Sequence, residues 1–305
     1  MTDTVNSQAT PRLKVMPLVL SSYRTVFGNL GALAQMLWLV VGLNFFYVYY
    51  QFIEMEKFAQ QVQLGNLSVA VQLGSSSFFG SFIGGTLGLL LLSGVMVAIH
   101  RFVLVGVKPI FPGFGIARRE LRFCGYFLAV NFMFVVVAMV PMLLVKVMQQ
   151  FVQGVVGNGG GMIFILSIVA MVAFLIGIIT VMTRMSFVLP AIAMDQEGGL
   201  WHRFDHAWKA AKGHTATMIT ALFLALLPWG IISSIGSYYI VRPSLEKFVI
   251  TGVLPATPMM INSMISIVFG WVAIVLSTVI YSHAYRILED IQTNTAKSQV
   301  VMEPQ

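Results

Sequence analysis

What most limits the folding of this chain is a set of six long apolar stretches, roughly Asn29–Phe52, Gly80–Leu104, Cys124–Met148, Met162–Phe187, Thr215–Ile240 and Met260–Tyr285. Each exceeds the ~20 residues that a helix needs to cross a hydrocarbon core. That core holds no water to bond exposed N–H and C=O groups, so such a run must satisfy its backbone within itself, as an α-helix. The expected fold is therefore all-α: a polytopic integral membrane protein with six transmembrane helices in three hairpins and cytoplasmic interfacial helices. Composition agrees, since 58% hydrophobic and 10% charged residues leave too little charge for the surface of a large soluble catalytic domain.

The basic residues are unevenly placed. With six spans, Arg12, Lys14, Arg24, Arg101, Lys108, Arg118, Arg119, Arg122, Arg184, Arg203, Lys209, Lys212, Arg286 and Lys297 all fall on the side of the termini. Only Lys57, Lys146, Arg242 and Lys247 fall on the other. By the positive-inside rule both termini are expected in the cytoplasm. The net charge of +7 then has a topological source and does not indicate nucleic acid. Anionic lipids of the inner leaflet are the expected partners, and a membrane-protein partner or a homo-oligomer remains open. No A-x-A-like cleavage site follows the first span, which reads as retained. The expected division is a cytoplasmic tail over 1–20, a transmembrane domain over 21–288 and a cytoplasmic tail over 289–305. The single cysteine, Cys124, excludes an intrachain disulfide.

The middles of the spans carry no ionisable side chain, which argues against a proton-coupled pump. Their polar groups, such as Asn44, Asn131, Ser167, Thr180, Ser233 and Ser277, are expected to make interhelical hydrogen bonds or to line a polar cavity. Gly80, Gly84 and Gly88 recur every four residues on one face, which permits close approach of a neighbouring helix, in this chain or in a second copy. Pro141 and Pro228 each free a carbonyl four residues back, at Val137 and Leu224, and predict kinks or hinges.

Three segments end alike, at Arg101, Arg184 and Arg286, and three begin alike, with a basic segment followed by Gly28, Gly125 or Gly213. This predicts three related units, each an interfacial helix plus a hairpin. The clearest such helix covers Leu200–Lys212, with Leu200, Trp201, Phe204, Trp208 and Ala211 on one face and Arg203, Asp205, Lys209 and Lys212 elsewhere. It is expected to lie in the headgroup layer, as a structural cuff or as a lipid sensor.

Candidates for chemistry are few. His202 and His206 share a helix face at i, i+4, yet Arg203 stands where a zinc-protease motif needs Glu, so a metal is not expected. His100 and His283 precede basic-side arginines and read as interface anchors. The residues 53–79 have mostly Gln, Ser and Gly as polar groups and read as an interfacial segment, and the glycine-rich run 157–161 reads as a turn. No nucleophile elbow, P-loop or carboxylate pair occurs, so no catalytic residue or cofactor is expected.

The run from Arg184 through Pro190 to Asp195 (R-M-S-F-V-L-P-A-I-A-M-D), followed by Trp208, Lys212 and Gly213 in A-W-K-A-A-K-G, resembles the six-span membrane domain of glycerophosphoryl diester phosphodiesterases and the YciC-like bacterial inner-membrane proteins. The stretches His100–Pro109 and Arg118–Phe123 are similar to a proteobacterial branch of that group. The resemblance covers Ser21–Leu288 and implies a bacterial inner-membrane setting in which these residues are structural signatures. In fused members the phosphodiesterase activity resides in a separate soluble barrel, for which this chain has no segment. The expected function is a non-enzymatic scaffold or accessory factor in envelope maintenance, or else a carrier of a lipid or small amphiphile.

Overall fold

The computed structural model describes residues 13–107, 118–133, 136, 139, 160–195, 199–251 and 256–302. Among them all regular structure is helical: α1 Val15–Gly28, α2 Leu30–Gln63, α3 Leu67–Val105, α4 (118–133), α5 Gly160–Ser186, α6 Val188–Ala193, α7 Leu200–Ala211, α8 Thr215–Thr251 and α9 Ala256–Met302. Five segments are long and apolar enough to cross a bilayer: Leu30–Phe58, Gly84–Val105, Ile168–Ala193, Thr215–Pro243 and Thr257–Ile291. They mark the chain as a multi-pass α-helical membrane protein. The third expected span is described as helix through Met133 and at 136 and 139, and the rest of it, with Pro141, lies outside the described residues, as does the glycine-rich run 157–159.

Local chemistry sets the breaks between helices. The Asn29 side chain donates to the Thr25 carbonyl at 2.8 Å and its N–H to Val26 O at 3.3 Å, which closes α1 before α2 begins. Gly106 ends α3 in the left-handed conformation, φ +71°, where its N–H bonds Phe102 O. Gly213, φ +87°, makes the sharp joint between α7 and α8. Pro190 sits in the first turn of α6, where a missing N–H leaves no bond unmade.

Helix α9 is central and touches α1, α2, α3 and α8; α2 packs along α3, and α5 lies against α8. Buried side chains gather at one end. Leu18 and Val19 of α1, Val188, Leu189, Ala191, Ile192 and Ala193 of α6, Ala207 and Ala211 of α7, Met218 of α8 and Ile280 of α9 form one core there. A second core joins Met36 and Val40 to Val95, Ile99, Leu276 and Val279. The basic side chains of α4, α5 and α7 also lie at this end, called here the arginine-rich end.

Several expectations are corrected. The packed unit starts before Ser21, because Leu13 and α1 are part of the core. The helix that contains Gly125 runs through it without a break, so the second expected unit lacks the joint that Gly213 supplies in the third. Residues 53–79 are mostly helical, with α2 continuing to Gln63 and α3 restarting at Leu67 after a short turn, and residues 59–83 lie outside the two neighbouring candidate spans. Asn44, Asn131 and Ser277 donate to carbonyls of their own helices, Val40, Phe127 and Ile274, and among the described residues no bond to another helix is seen for them. In the glycine series Gly84 is tightly approached, by the ring of Tyr47 on α2, whereas a Cβ at Gly88 would meet nothing within 4 Å; Gly80 lies within helix α3.

Candidate functional site

The arginine-rich end is built around α6. Six consecutive apolar residues, Val188–Ala193, are all buried, and the turn that follows places Asp195 at φ +52°. This left-handed conformation is unusual for a residue with a side chain. It turns the carboxylate toward two arginines from different helices: Arg122 of α4 and Arg203 of α7 each stand 3.8 Å from Asp195 Oδ1. Arg122 is about half exposed, whereas the Arg203 side chain is only 7% exposed. Arg119 of α4 pairs in turn with the buried Glu120, at 2.8 Å.

A second arrangement lies beside it. Arg184, near the end of α5, donates from Nε to the Thr215 hydroxyl at 3.0 Å, and its guanidinium lies 5.2 Å from the centre of the Trp208 ring. The Thr215 hydroxyl donates to Ala211 O at 3.1 Å, across the joint at Gly213. Trp208 stacks on Phe204 at 5.5 Å and Phe204 meets Trp201 edge-on at 6.3 Å. The result is a ladder of rings along α7, anchored by an arginine at its inner end and 82% exposed at Trp201. A desolvated guanidinium over a tryptophan face is favourable by about 1–2 kcal/mol.

The orientation of α7 differs from the face expected from the sequence. Arg203, Ala207 and Ala211 point inward, the rings lie at the flank, and His202, Asp205, His206 and Lys209 are exposed. Arginine can be buried because Asp195 meets it, while the aromatic flank suits the headgroup layer. His202 and His206 stay exposed, and among the described residues no three His, Cys, Asp or Glu converge as a metal site would need.

Two histidines tie the long helices together. His100 is not an interface anchor: it is 1% exposed, and its Nδ1 lies 2.7 Å from the hydroxyl of Ser282 on α9. Ser282 donates to Thr278 O at 2.8 Å, so its hydrogen is engaged and it accepts from His100. His283 lies 2.9 Å from Thr25 of α1, and Tyr23 of α1 donates to Ala225 O of α8 at 2.6 Å, three residues before Pro228 inside that helix. Thus α1 is fastened to both α8 and α9.

A cleft of about 520 Å³ opens between α4 and α5, lined by Met133, Ala173, Phe174, Gly177, Ile178, Val181 and Met182. It is apolar throughout. Near its foot the Tyr126 hydroxyl of α4 donates to Met185 O of α5 at 3.1 Å and holds the two helices together.

Of the residues singled out in the sequence, the structure brings together Arg184 and Trp208, places Pro190 and Asp195 in and just after α6, and puts Lys212 and Gly213 at the α7–α8 joint. Arg101 stands apart near the end of α3, half-buried. Sequence reasoning missed Thr215, Ser282 and the Arg122–Asp195–Arg203 group, whose members come from segments distant in the chain. Against family models, curated proteins and solved structures, the chain has no match.

Proposed function

We propose that this chain is a non-enzymatic, six-span protein of a bacterial cytoplasmic membrane that serves as a scaffold or accessory factor in envelope maintenance. The arginine-rich end faces the cytoplasm with both termini, and the region around residues 124–148 supplies the sixth span. The supporting observation is how the basic side chains are used. Arg184 is held by Trp208 and Thr215, and Arg203 by Asp195, so these groups brace α6 and α7 into a solid cap. The exposed side of α7, with Trp201, Asp205 and Lys209, then offers a rigid surface at the headgroup layer. The likeness of Arg184–Asp195 and Ala207–Gly213 to the membrane domain of glycerophosphoryl diester phosphodiesterases belongs to the same reading.

The test is photo-crosslinking in cells from a reactive amino acid placed at Trp201 or Lys209. A discrete protein adduct from either position supports the scaffold. Adducts to lipid alone, or phosphodiester turnover by the purified protein that Arg184→Ala loses, would overturn it. Orientation is read separately in a Cys124→Ser background: Asn66→Cys should react with an impermeant thiol reagent added outside, and Lys212→Cys should not.

One observation favours a second reading, a carrier of lipid or a small amphiphile: the apolar cleft between α4 and α5. Transfer of lipid between the leaflets of reconstituted vesicles, absent from protein-free ones, would support it.

A further inference from the structure

We propose that the α4–α5 cleft holds one anionic phospholipid of the bilayer, an acyl chain lying along α5 and the phosphate at Arg122 and Arg184. The cleft has the size of an ordinary small-molecule site, ~300–1,000 Å³. Its floor on α5 is a stripe at positions 173, 174, 177, 178, 181 and 182, the i, i+1, i+4 pattern of one helix face. At 1.5 Å per residue the stripe is about 13 Å long, a path for an extended chain rather than a compact ring. Ala173 and Gly177 leave its centre open, and a Cβ at Gly177 would meet nothing within 4 Å.

The stripe leads to charge. At 100° per residue Arg184 falls on the same face of α5, half a turn beyond Met182. Across the cleft, Arg122 lies one turn beyond Tyr126, whose hydroxyl closes the foot on Met185 O. Arg184 uses Nε for Thr215 and its ring-facing surface for Trp208, which leaves its terminal nitrogens to reach an oxygen ligand. Among the described residues Arg184 meets a hydroxyl and a ring but no carboxylate, and the half-exposed Arg122 stands no nearer than 3.8 Å to Asp195, so both guanidinium groups bring positive charge to this spot. An apolar path ending at surplus arginine charge complements a lipid with an anionic head; a zwitterionic head would bring its own ammonium against the same arginines. This inference rests on the arginine-rich end lying at the headgroup layer, and it is independent of the scaffold role.

Native mass spectrometry of the full chain tests it, after reconstitution in vesicles of equal phosphatidylglycerol and phosphatidylethanolamine with matched acyl chains. The expected result is one retained phosphatidylglycerol per chain. Gly177→Leu, whose side chain enters open space, should lower the retained fraction at least ~10-fold, one factor of ten being about 1.4 kcal/mol. Ala173→Phe is a second block of the same path. Val172→Phe, on an exposed part of α5 outside the stripe, should leave retention unchanged. Arg122→Gln should abolish the preference for the anionic lipid while some lipid is still retained. No retained lipid in the parent protein, equal retention of the two lipids, or retention indifferent to both blocking variants would each overturn the proposal. Loss of the lipid with the photo-crosslinked partner intact would leave the scaffold reading standing, and the converse result would leave the lipid site.

Discussion

The two halves of the bundle are similar in apolarity and opposite in packing. At the arginine-rich end α1, α6 and α7 wedge between the long helices, and the side chains of Phe123, Phe187, Met218 and Ile280 lose all contact with the surroundings. Toward the other end, among the described residues, no hydrophobic side chain is buried between positions 41 and 94 or between 226 and 270. Leu43, Phe46, Ile231, Ile232 and Ile235 there are exposed instead. In water such a surface would collapse, but lipid tails solvate it as well as another helix does, so apolarity alone drives no association. What joins helices in this molecule is shape and polar bonding, and both are concentrated where the short helices intrude.

The largest expected effect contrasts two phenylalanines. Phe187 is fully buried, edge-on to Tyr281 at 5.5 Å, whereas Phe46 is 67% exposed. Phe187→Ala should destabilise the folded protein by about 3–5 kcal/mol through the cavity it leaves. Phe46→Ala should stay within about 0.5 kcal/mol. Thermal unfolding of both variants in one detergent checks this, and equal losses would show that the far half is as tightly packed as the arginine-rich end.

The next effect isolates the polar bonding. Ser282→Ala strips the buried His100 of its partner and should cost about 1–3 kcal/mol. His100→Leu combined with Ser282→Ala should cost less than the sum of the single changes, because the double variant leaves neither polar group unpaired. Simple additivity would mean that the bond adds nothing to the joining of α3 and α9. Smaller still, Arg184→Lys keeps the charge but gives up both the Nε donor and the planar stack on Trp208, a loss of about 1 kcal/mol. It should loosen α7 first, read as faster hydrogen exchange of its amides without a matching change in α2.

The same contrast explains what was legible in the sequence. Spans are legible because a membrane leaves the backbone almost no alternative to a helix, so length and hydropathy suffice. The α7 helix was within reach, since aromatic and basic residues at helical spacing mark a headgroup position, whereas its contact with Arg184 through Trp208 and Thr215 was not. The inward face of α7 was not: burial of Arg203 depends on Asp195, held in the left-handed region after a buried α6, and a helical wheel holds no record of that partner. Ser282 lies 182 residues from His100, and no local pattern joins them. The spans' Asn and Ser residues misled for a simpler reason. A short polar side chain in a helix reaches its own i−4 carbonyl as easily as a neighbour's, so its presence does not imply a contact.

An effect no larger is expected where the far half does make a specific contact. A Cβ at Gly84 would lie 2.6 Å from Tyr47 Cε2, whereas one at Gly88 would meet nothing within 4 Å. Tyr47 is half-buried, so its ring can swing aside, and Gly84→Ala should cost about 1 kcal/mol, with Gly88→Ala close to neutral. Adding Tyr47→Ala to Gly84→Ala should remove the extra cost, because the clash is with that ring alone. If instead Gly88→Ala proved the more damaging and also lowered the apparent mass of the purified protein, the glycine stripe would face a second copy of the chain. The loosely packed half would then be the one completed by oligomerisation, and its exposed apolar side chains would be an interface rather than a lipid boundary.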